Sequence, residues 1–324
     1  MRRFLVAPDS FKGTFDAAEV AAAIAAGVEA VGGEADRCPV ADGGEGTMAV
    51  LLAALGGELR SARVSDPLRR PIEASFGLLA GGKTAIVEMA QASGLPLLAP
   101  EEHDPERADT YGTGELIAAA IAAGAQRVLV AAGGSATTDG GRGAIEALNQ
   151  NETPLGEVQI EVLCDVQTPF EDAARIFAPQ KGADAAAVER LSERLDALAA
   201  ELPRDPRGVP MTGCAGGLSG GLWAYGAKLR PGADFVLDAL DFDARLARAD
   251  AVISGEGRFD SQSLEGKVVG AIATRCAAAG KPLHLIVGQN GLEAGAPKAI
   301  SSLRAASSLA EIEAAGGELC RLRA

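Results

Sequence analysis

The sequence predicts an α/β protein of two domains, one of them built on a parallel sheet. The chain has 324 residues, about twice the length of a typical single domain. Short apolar runs alternate with helical patterns near both ends of the chain, which is typical of parallel α/β sheets. Between the ends, residues 58–89 form extended segments that proline and glycine interrupt, without a helical period. This pattern predicts antiparallel strands, and therefore a second architecture.

The N-terminal segment predicts a strand, a loop and a helix. Phe4–Ala7 is a short apolar run, as expected of a buried parallel strand. Asp16 and Glu19 have the spacing of a capping box, in which each side chain accepts a hydrogen bond from the other residue's backbone. Apolar residues follow at helical spacing over 20–31, and Gly32 predicts the end of the helix.

A second strand–loop–helix pattern follows directly. Residues 37–40 lead into the glycine-rich loop 41–46, and Thr47 is expected to cap a helix over Met48–Leu55. Gly56 predicts the end of that helix. Two consecutive patterns of this kind favour a parallel sheet.

The remaining elements repeat the alternation. Helices are expected over 116–123, 143–148, 185–202 and 267–279, and strands over 127–131, 158–162, 250–254 and 283–287. Because the C-terminal pattern is like the N-terminal one, both ends are placed in one sheet. The predicted domains are therefore 1–58 with 248–324, and an inserted domain over 59–247.

The composition restricts the classes of partner. Thirty lysines and arginines oppose 44 acidic residues, which gives a formal charge of −14. Such a surface disfavours nucleic acids and anionic membranes, and no basic run offsets it.

Five scattered cysteines without a C-x-x-C pair, together with two histidines, make a zinc site unexpected. With no apolar run long enough for a signal peptide or membrane helix, a cytoplasmic protein is expected.

Acidic residues and glycines recur where the predicted strands end. Asp9, Asp42 and Asp165 follow strands, as do the loops 133–141 and 254–260. Ligands of open α/β sheets bind beyond the carboxyl ends of the strands. Glycines and helix N-termini suit phosphate groups, and nearby carboxylates suit magnesium. A single glycine-rich sequence of this kind usually forms only a turn, but five such loops at strand ends together predict a shared polar site.

One motif is expected to be accidental. Residues 77–84 match the phosphate-loop pattern G-x-x-x-x-G-K-[ST], with Lys83 as its lysine. That motif requires a following helix, whereas residues 85–89 are short and rich in β-branched residues. A hairpin turn is therefore predicted, and a nucleotide hydrolase that uses Lys83 remains a minor alternative.

Seven motifs together resemble the class I bacterial glycerate kinases. They occupy residues 7–13, 39–47, 110–116, 133–137, 179–182, 215–218 and 255–262. The motifs cover nearly the whole chain in order. One departure is Thr138, where the family usually has asparagine.

The resemblance implies phosphorylation of D-glycerate that depends on ATP and Mg²⁺, with 2-phosphoglycerate as the usual product. It implies a flavodoxin-like domain formed by both chain ends and an inserted α/β domain with a mixed sheet. It also implies in-line phosphoryl transfer in an interdomain cleft, and it allows a homodimer. Glycerate and ATP are the expected partners, without nucleic acid or membrane.

The same resemblance implies site residues. Those for the nucleotide are Gly133, Gly134, Ser135, Thr137, Asp139, Gly140, Lys181, Gly216 and Gly217. Asp165 or Glu256 is expected to hold magnesium. Those for the substrate are Asp9, Ser10, Lys12, Gly43, Gly44, Glu45, Arg258 and Asp260.

Three residues are assigned to catalysis. Asp42 is the candidate base, and Lys12 and Arg258 are the cations for the transferring phosphoryl group or the glycerate carboxylate. Two structural alternatives stay open, namely a helix-end cap for Asp42 and an interdomain ion pair for Arg258. At the level of function, the alternatives are a non-catalytic two-domain sensor of small organic acids and a kinase of a related hydroxy acid.

Overall fold

The structure, a computed structural model, describes residues 1–152, 157–260, 263, 267–292 and 298–322. The chain divides into two compact units, which are residues 1–42 with 233–324 (the first unit) and residues 43–232 (the second unit). The predicted α/β class is confirmed, because one sheet is parallel and the other is mixed.

Elements are numbered along the described chain. The strands are β1 (Arg3–Val6), β2 (Glu34–Arg37), β3 (Gly57–Ser65), β4 (Pro71–Leu79), β5 (Thr84–Glu88), β6 (Arg127–Ala131), β7 (Gln159–Cys164), β8 (Lys228–Pro231), β9 (Ala251–Phe259), β10 (Leu283–Asn290) and β11 (Ser302–Ala305). The helices are α1 (Ala17–Ala30), α2 (Thr47–Leu55), α3 (Ala90–Ser93), α4 (Tyr111–Ala122), α5 (Arg142–Gln150), α6 (Ala173–Phe177), α7 (Ala185–Glu201), α8 (Leu218–Ala224), α9 (Gly232–Ala239), α10 (Phe242–Arg248), α11 (Val268–Ala279) and α12 (Leu309–Arg321).

The first unit is built on a parallel sheet in the order β11-β10-β9-β1-β2. Strands from both chain ends are therefore neighbours in one sheet. Helices α1 and α12 pack together closely, since a Cβ atom at Gly27 would lie 1.8 Å from the carbonyl oxygen of Glu313. The core between them and the sheet includes Phe4, Ile24 and Ile312.

The predicted capping box of α1 is confirmed. The Asp16 carboxylate accepts a hydrogen bond of 2.8 Å from the Glu19 amide, and the Glu19 carboxylate accepts one of 2.9 Å from the Asp16 amide. The helix ends before Gly32, whose φ of 84° favours glycine.

The second unit is built on a mixed sheet in the order β3-β4-β5-β6-β7-β8. Strands β3, β4 and β5 pair antiparallel, and β5 to β8 pair parallel. The predicted hairpin at residues 77–84 is confirmed, because Gly81 and Gly82 both have positive φ in the turn from β4 to β5. Strand β5, rather than a helix, directly follows Lys83, so the phosphate-loop motif lacks its required context.

The unit boundaries differ from the predicted ones. They lie at 42/43 and 232/233 rather than at 58/59 and 247/248. Helix α2 joins the second unit because it packs on β3, β4 and β5, with Leu52 against Gly77 of β4. Helices α9 and α10 join the first unit, where Arg275 of α11 pairs with Asp234, Asp238 and Asp243.

Two local predictions were wrong. Thr47 does not cap α2, because Gly46 is the N-cap residue and the buried Thr47 hydroxyl has no hydrogen-bond partner among the described residues. Residues 254–259 belong to β9 rather than to a loop. Glycines permit this extension, since a Cβ atom at Gly288 of β10 would lie 2.5 Å from the carbonyl oxygen of Gly257. Ser261 and Gln262, which end the last motif, lie outside the described residues.

Candidate active site

A polar pocket of about 390 Å³ lies in the first unit. Asp9 follows β1 and Asp42 follows β2, while Glu256 lies on the neighbouring strand β9. Backbone pairing continues beyond β1, because the Asp9 amide donates to the carbonyl oxygen of Gly255 at 2.8 Å. The sheet order therefore brings three carboxylates from adjacent strands into one pocket. This set, with Ser10, Lys12, Arg258 and Asp260, is called the first-unit pocket below.

Two of these carboxyl groups have strongly perturbed pKa values. Burial raises the pKa of Asp9 to about 8, the charge of Asp42 adds to the rise, and Lys12 opposes it. Burial likewise raises the pKa of Glu256 to about 7, against a hydrogen bond from Ser263. Asp42 is also buried, at 1% exposure. Burial and mutual repulsion are the usual means by which sites retain protons near neutral pH.

The two predicted cations differ in their contacts. Lys12 Nζ donates a hydrogen bond of 3.2 Å to Asp42 Oδ2. Arg258 lies 3.6 Å from Asp260 Oδ2, and its side chain is 71% exposed. Because Glu256 and Arg258 are two residues apart on β9, both project from the same face of the sheet. Both are lining residues of the first-unit pocket.

Sequence reasoning missed other residues that line this pocket. Lys267 directly precedes α11, and Gln289 lies on β10 opposite Arg258. The position of Lys267 at the start of the predicted helix 267–279, after the 255–262 motif, was a usable signal. The sequence around Gln289 contained no such signal, because β10 was expected to end at residue 287.

A second pocket, of about 330 Å³, lies in the second unit. It is lined by Gly133, Gly134 and Ser135 after β6, by Asp165 after β7, and by Lys181 and Gly216. These residues, with their apolar neighbours Leu95, Pro96, Val166 and Phe177, are called the second-unit pocket below. The five predicted acid-bearing loops therefore fall into two groups, one in each unit.

Lys181 is the buried cation of the second-unit pocket. Its ammonium group donates hydrogen bonds of 2.8 Å to the Ser135 hydroxyl and 2.6 Å to the Thr137 carbonyl oxygen. Burial lowers its pKa to about 8, and the negative charge of Asp139 opposes the change. Lys181 thus holds the 133–137 loop in place and adds positive charge beside it.

Four other predicted nucleotide residues support the loop without lining the pocket. Asp139 is buried and accepts hydrogen bonds from the amides of Gly141 and Gly143 and from the Thr110 hydroxyl. It therefore orders the start of α5. The other three, which are also buried, are Thr137, Gly140 and Gly217.

Gly43, Gly44 and Glu45 belong to the second unit rather than to the first-unit pocket. Gly44 is packed so tightly that a Cβ atom at Gly133 would lie 2.7 Å from the Gly44 Cα atom. Glu45 is exposed. The 39–47 motif is thus divided between the units at Asp42.

The two candidate magnesium ligands lie in different pockets. Asp165 accepts a hydrogen bond of 3.4 Å from the Cys214 thiol in the second-unit pocket. Glu256 lies in the first-unit pocket, where its buried Oε1 atom has no hydrogen-bond partner among the described residues. Over the same residues, no three acidic, histidine or cysteine side chains form a group that could hold a metal.

Sequence comparison decides the family. The family model described as "Glycerate kinase family" matches residues 4–153 and 147–319. The chain belongs to the glycerate kinase family. The predicted family, enzyme class and kinase activity are therefore confirmed.

Named relatives support this assignment to the glycerate kinases. The glycerate 2-kinase of Escherichia coli K12 is 39% identical over 323 residues, which cover 88% of this chain and 85% of the relative. A glycerate kinase of Halalkalibacterium halodurans is 38% identical over 328 residues, which cover 90% of this chain and 86% of the relative. The crystal structure of the "putative glycerate kinase 2 from Salmonella typhimurium LT2" is 33% identical in sequence, with a TM-score of 0.82. The match covers 98% of this chain and 97% of that chain.

Within the described ranges, every helix is too short or too polar to cross a membrane.

Proposed function

We propose that this member of the glycerate kinase family transfers the terminal phosphoryl group of ATP to D-glycerate and forms 2-phosphoglycerate. The observation that supports this most is the first-unit pocket, where buried carboxylates and two cations lie together. A kinase for a hydroxy acid needs a base for the hydroxyl group and positive charge for the carboxylate and the phosphoryl group.

Asp42 is the proposed base. Near neutral pH, the raised pKa of Asp9 keeps that carboxyl group largely protonated, so Asp9 is suited to donate a hydrogen bond. Asp42 is buried in the same pocket with the Lys12 ammonium group 3.2 Å away. Asp9 would thus act as a hydrogen-bond donor and Asp42 as the proton acceptor.

Lys12 and Arg258 are the proposed cations for the substrate. The planar guanidinium group of Arg258 can bind both oxygens of a carboxylate at once. Its high exposure leaves it accessible to a ligand. Lys12, held beside Asp42, would stabilise the negative charge that develops as the phosphoryl group is transferred.

The second-unit pocket is the proposed site for the phosphates of ATP. Glycines at 133, 134 and 216 let the backbone approach phosphate oxygens closely. Lys181 adds a positive charge that the loop itself lacks. Its apolar lining residues suit a heterocyclic base.

Magnesium is proposed as the cofactor, and Glu256 fits it best. Its buried Oε1 atom, which has no hydrogen-bond partner among the residues that the structure describes, can accept a cation. Mg²⁺ binds through one or two carboxylates together with water and phosphate oxygens, so a larger protein cage is not required. When bound, the ion would neutralise phosphate charge. Asp165 is the alternative ligand, in the second-unit pocket.

The test is the ³¹P NMR spectrum of a reaction with ATP, Mg²⁺ and D-glycerate. A phosphate ester on carbon 2 is coupled to one proton and gives a doublet, whereas an ester on carbon 3 gives a triplet. A doublet with release of ADP is the expected result, and a triplet would refute the proposed product. Normal ATP binding without any phosphoglycerate would favour the sensor or another hydroxy acid.

A further inference from the structure

We propose that a third pocket, which lies wholly in the second unit, binds a small molecule that carries a phosphate monoester group. The pocket has a volume of about 390 Å³. Four arginines line it, and it is called the arginine pocket below; they are Arg69, Arg107, Arg142 and Arg194. The proposed function assigns no role to these four residues, so this proposal goes beyond it and can fail separately.

Different parts of the fold bring the arginines together. Arg69 lies in the turn between β3 and β4, and Arg107 lies in the segment before α4. Arg142 is the first residue of α5, and Arg194 lies on α7. In a chain with a formal charge of −14, four guanidinium groups around one cavity are a local exception. No run of basic residues marks the cluster, because its members are far apart in the sequence.

Arg69 is the arginine that carboxylates of the pocket already neutralise. Its Nε atom donates a hydrogen bond of 2.6 Å to Asp109 Oδ2, and its Nη2 atom donates one of 3.0 Å to Glu146 Oε2. Its guanidinium carbon lies 3.9 Å from the centroid of the Tyr111 ring. The Arg69 hydrogen bond lowers the pKa of Glu146, and the charge of Arg142 adds to this effect. Arg69 and its two carboxylates therefore form a fixed wall of the pocket.

Two further carboxylates of the pocket are also satisfied. Glu106 accepts hydrogen bonds of 2.8 and 2.7 Å from Arg190. Asp139 accepts three hydrogen bonds from backbone amides and one from the Thr110 hydroxyl, and thereby takes up amides at the start of α5. The last carboxylate that lines the pocket is Glu201, which makes no hydrogen bond or ion pair with the described residues. Donors for a ligand must therefore come from the arginine side chains.

Three of the arginines have no carboxylate partner over the part of the chain that the structure describes. Arg107 and Arg142 are exposed, and their side chains make no hydrogen bond or ion pair there. Arg194 donates only to backbone carbonyl oxygens, with its shortest hydrogen bond, of 2.7 Å, to that of Thr138. The Arg194 Nε atom is buried and has no hydrogen-bond partner among the same residues. Buried polar groups normally have a partner, and a bound anion would supply one.

The charges indicate the class of ligand. Three guanidinium groups without a carboxylate partner face one unpaired carboxylate, that of Glu201, which leaves an excess of two positive charges. A phosphate monoester carries a charge of about −1.5 to −2 near neutral pH and offers three acceptor oxygens on one group. Guanidinium groups match the geometry of phosphate oxygens through paired N–H donors. A single carboxylate group carries only one charge, so the phosphate monoester fits the excess better. The cavity is also of a size that small-molecule sites have.

The test is isothermal titration calorimetry with glycerol 3-phosphate as the probe, at constant ionic strength and without ATP. Arg107→Ala and Arg142→Ala should each weaken binding by about tenfold, since each removes a charge-assisted hydrogen bond. Both should keep the Tm of the parent, because these side chains are exposed. Arg175→Ala is the matched control, since Arg175 lies in the same unit and pairs with Asp172 outside the pocket. It should change the affinity by less than about twofold, because distant surface charges are screened.

Glu201→Gln provides a test that a damaged fold cannot imitate. It removes the unpaired carboxylate of the pocket and should tighten binding of the probe by about twofold to fivefold. Addition of ADP and D-glycerate, the expected ligands of the other two pockets, should not displace the probe. Displacement by either one would place the probe in a pocket of the proposed function and overturn this proposal.

Other outcomes also contradict the proposal. It is wrong if the parent does not bind the probe, if Arg107→Ala and Arg142→Ala bind it with the parent's affinity, or if Arg175→Ala loses as much affinity as they do. Tighter binding of malonate, a dicarboxylate, than of glycerol 3-phosphate would overturn the assignment to phosphate monoesters. The titration involves no turnover, so a failure to phosphorylate glycerate would refute the proposed function and leave this proposal standing.

Discussion

Lys12 Nζ donates a hydrogen bond of 3.2 Å to Oδ2 of Asp42, and the two side chains differ sharply in exposure. The Lys12 side chain is 55% exposed, whereas that of Asp42 is 2% exposed. The pair therefore joins the solvent-facing part of the first-unit pocket to its buried carboxylates. An anion that enters the pocket can meet the ammonium group while Asp42 stays in place beside it.

This arrangement predicts that Lys12→Ala lowers kcat more than it raises the KM for ATP. Lysine would stabilise charge that develops in the transition state, so its removal should cost about 30- to 1000-fold in kcat. Steady-state kinetics of the folded protein measure this loss. The control is Arg304→Ala, which removes a cation of the same unit that pairs with Glu318 outside the pocket. If Lys12→Ala keeps the kcat of the parent, the proposed catalytic role of Lys12 is wrong.

Arg258 allows its catalytic and structural roles to be separated. Its ion pair with Asp260 is exposed, and such pairs contribute about 0–1 kcal/mol to stability. Arg258→Ala should therefore leave Tm almost unchanged while kcat falls by roughly 30-fold or more. Arg258→Lys should recover little, because lysine keeps the charge but not the two-pronged donor. A large fall in Tm with kcat preserved would instead support a structural ion pair.

The raised pKa of the buried Asp9 carboxyl group predicts that the stability of the protein depends on pH. Its pKa rises from the ordinary 3.8 to about 8 on folding, chiefly through burial. Between these values the folded protein keeps a proton that the unfolded chain has lost, so the contribution of Asp9 to the free energy of unfolding falls as the pH rises. Asp9→Asn removes this titration. Between about pH 5 and 7.5, the Tm of the parent should fall further than that of Asp9→Asn, by at least about 2 °C.

Thermal unfolding at several pH values measures this difference. Asp250→Asn, which changes an exposed aspartate of the same unit, is the control and should follow the parent curve. Parallel curves for the parent and Asp9→Asn would show that Asp9 does not hold its proton over this range.

The two lysines near glycine-rich turns should differ in importance. Lys83 is exposed at the tip of the β4–β5 hairpin, so Lys83→Ala should change kcat/KM by less than about threefold. Lys181→Ala should raise the KM for ATP by about tenfold or more, since its buried ammonium group holds Ser135 and the Thr137 carbonyl group. Kinetics of both variants test the pair. A loss of orders of magnitude in Lys83→Ala would restore the phosphate-loop alternative.

Much of the fold could be predicted because its signals are local. The capping box of Asp16 and Glu19 depends on residues three apart, and the start of α1 follows from it. Strand β6 was predicted at its observed bounds, because a short apolar run with β-branched residues is typical of a buried strand. The family motifs, too, are contiguous in the sequence.

Long-range pairing decided the points where prediction failed. Strand β9 continues to Phe259 because β10 pairs with it through Asn290, although its glycines favoured a loop. Helix α2 was placed with the N-terminal strands because it follows them in the chain. Its apolar residues instead pack on β3, β4 and β5.

The sequence by itself determined the α/β class, most element positions, the family and the set of polar residues at the strand ends. Only the tertiary structure decided how those residues are shared between two pockets, which carboxyl groups are buried, and that the Glu88 carboxylate accepts a hydrogen bond from the Met48 amide of α2 across 40 positions of sequence. The physical reason is that helix caps and strand propensity depend on near neighbours in the chain. Burial and strand order depend on residues that only folding brings together.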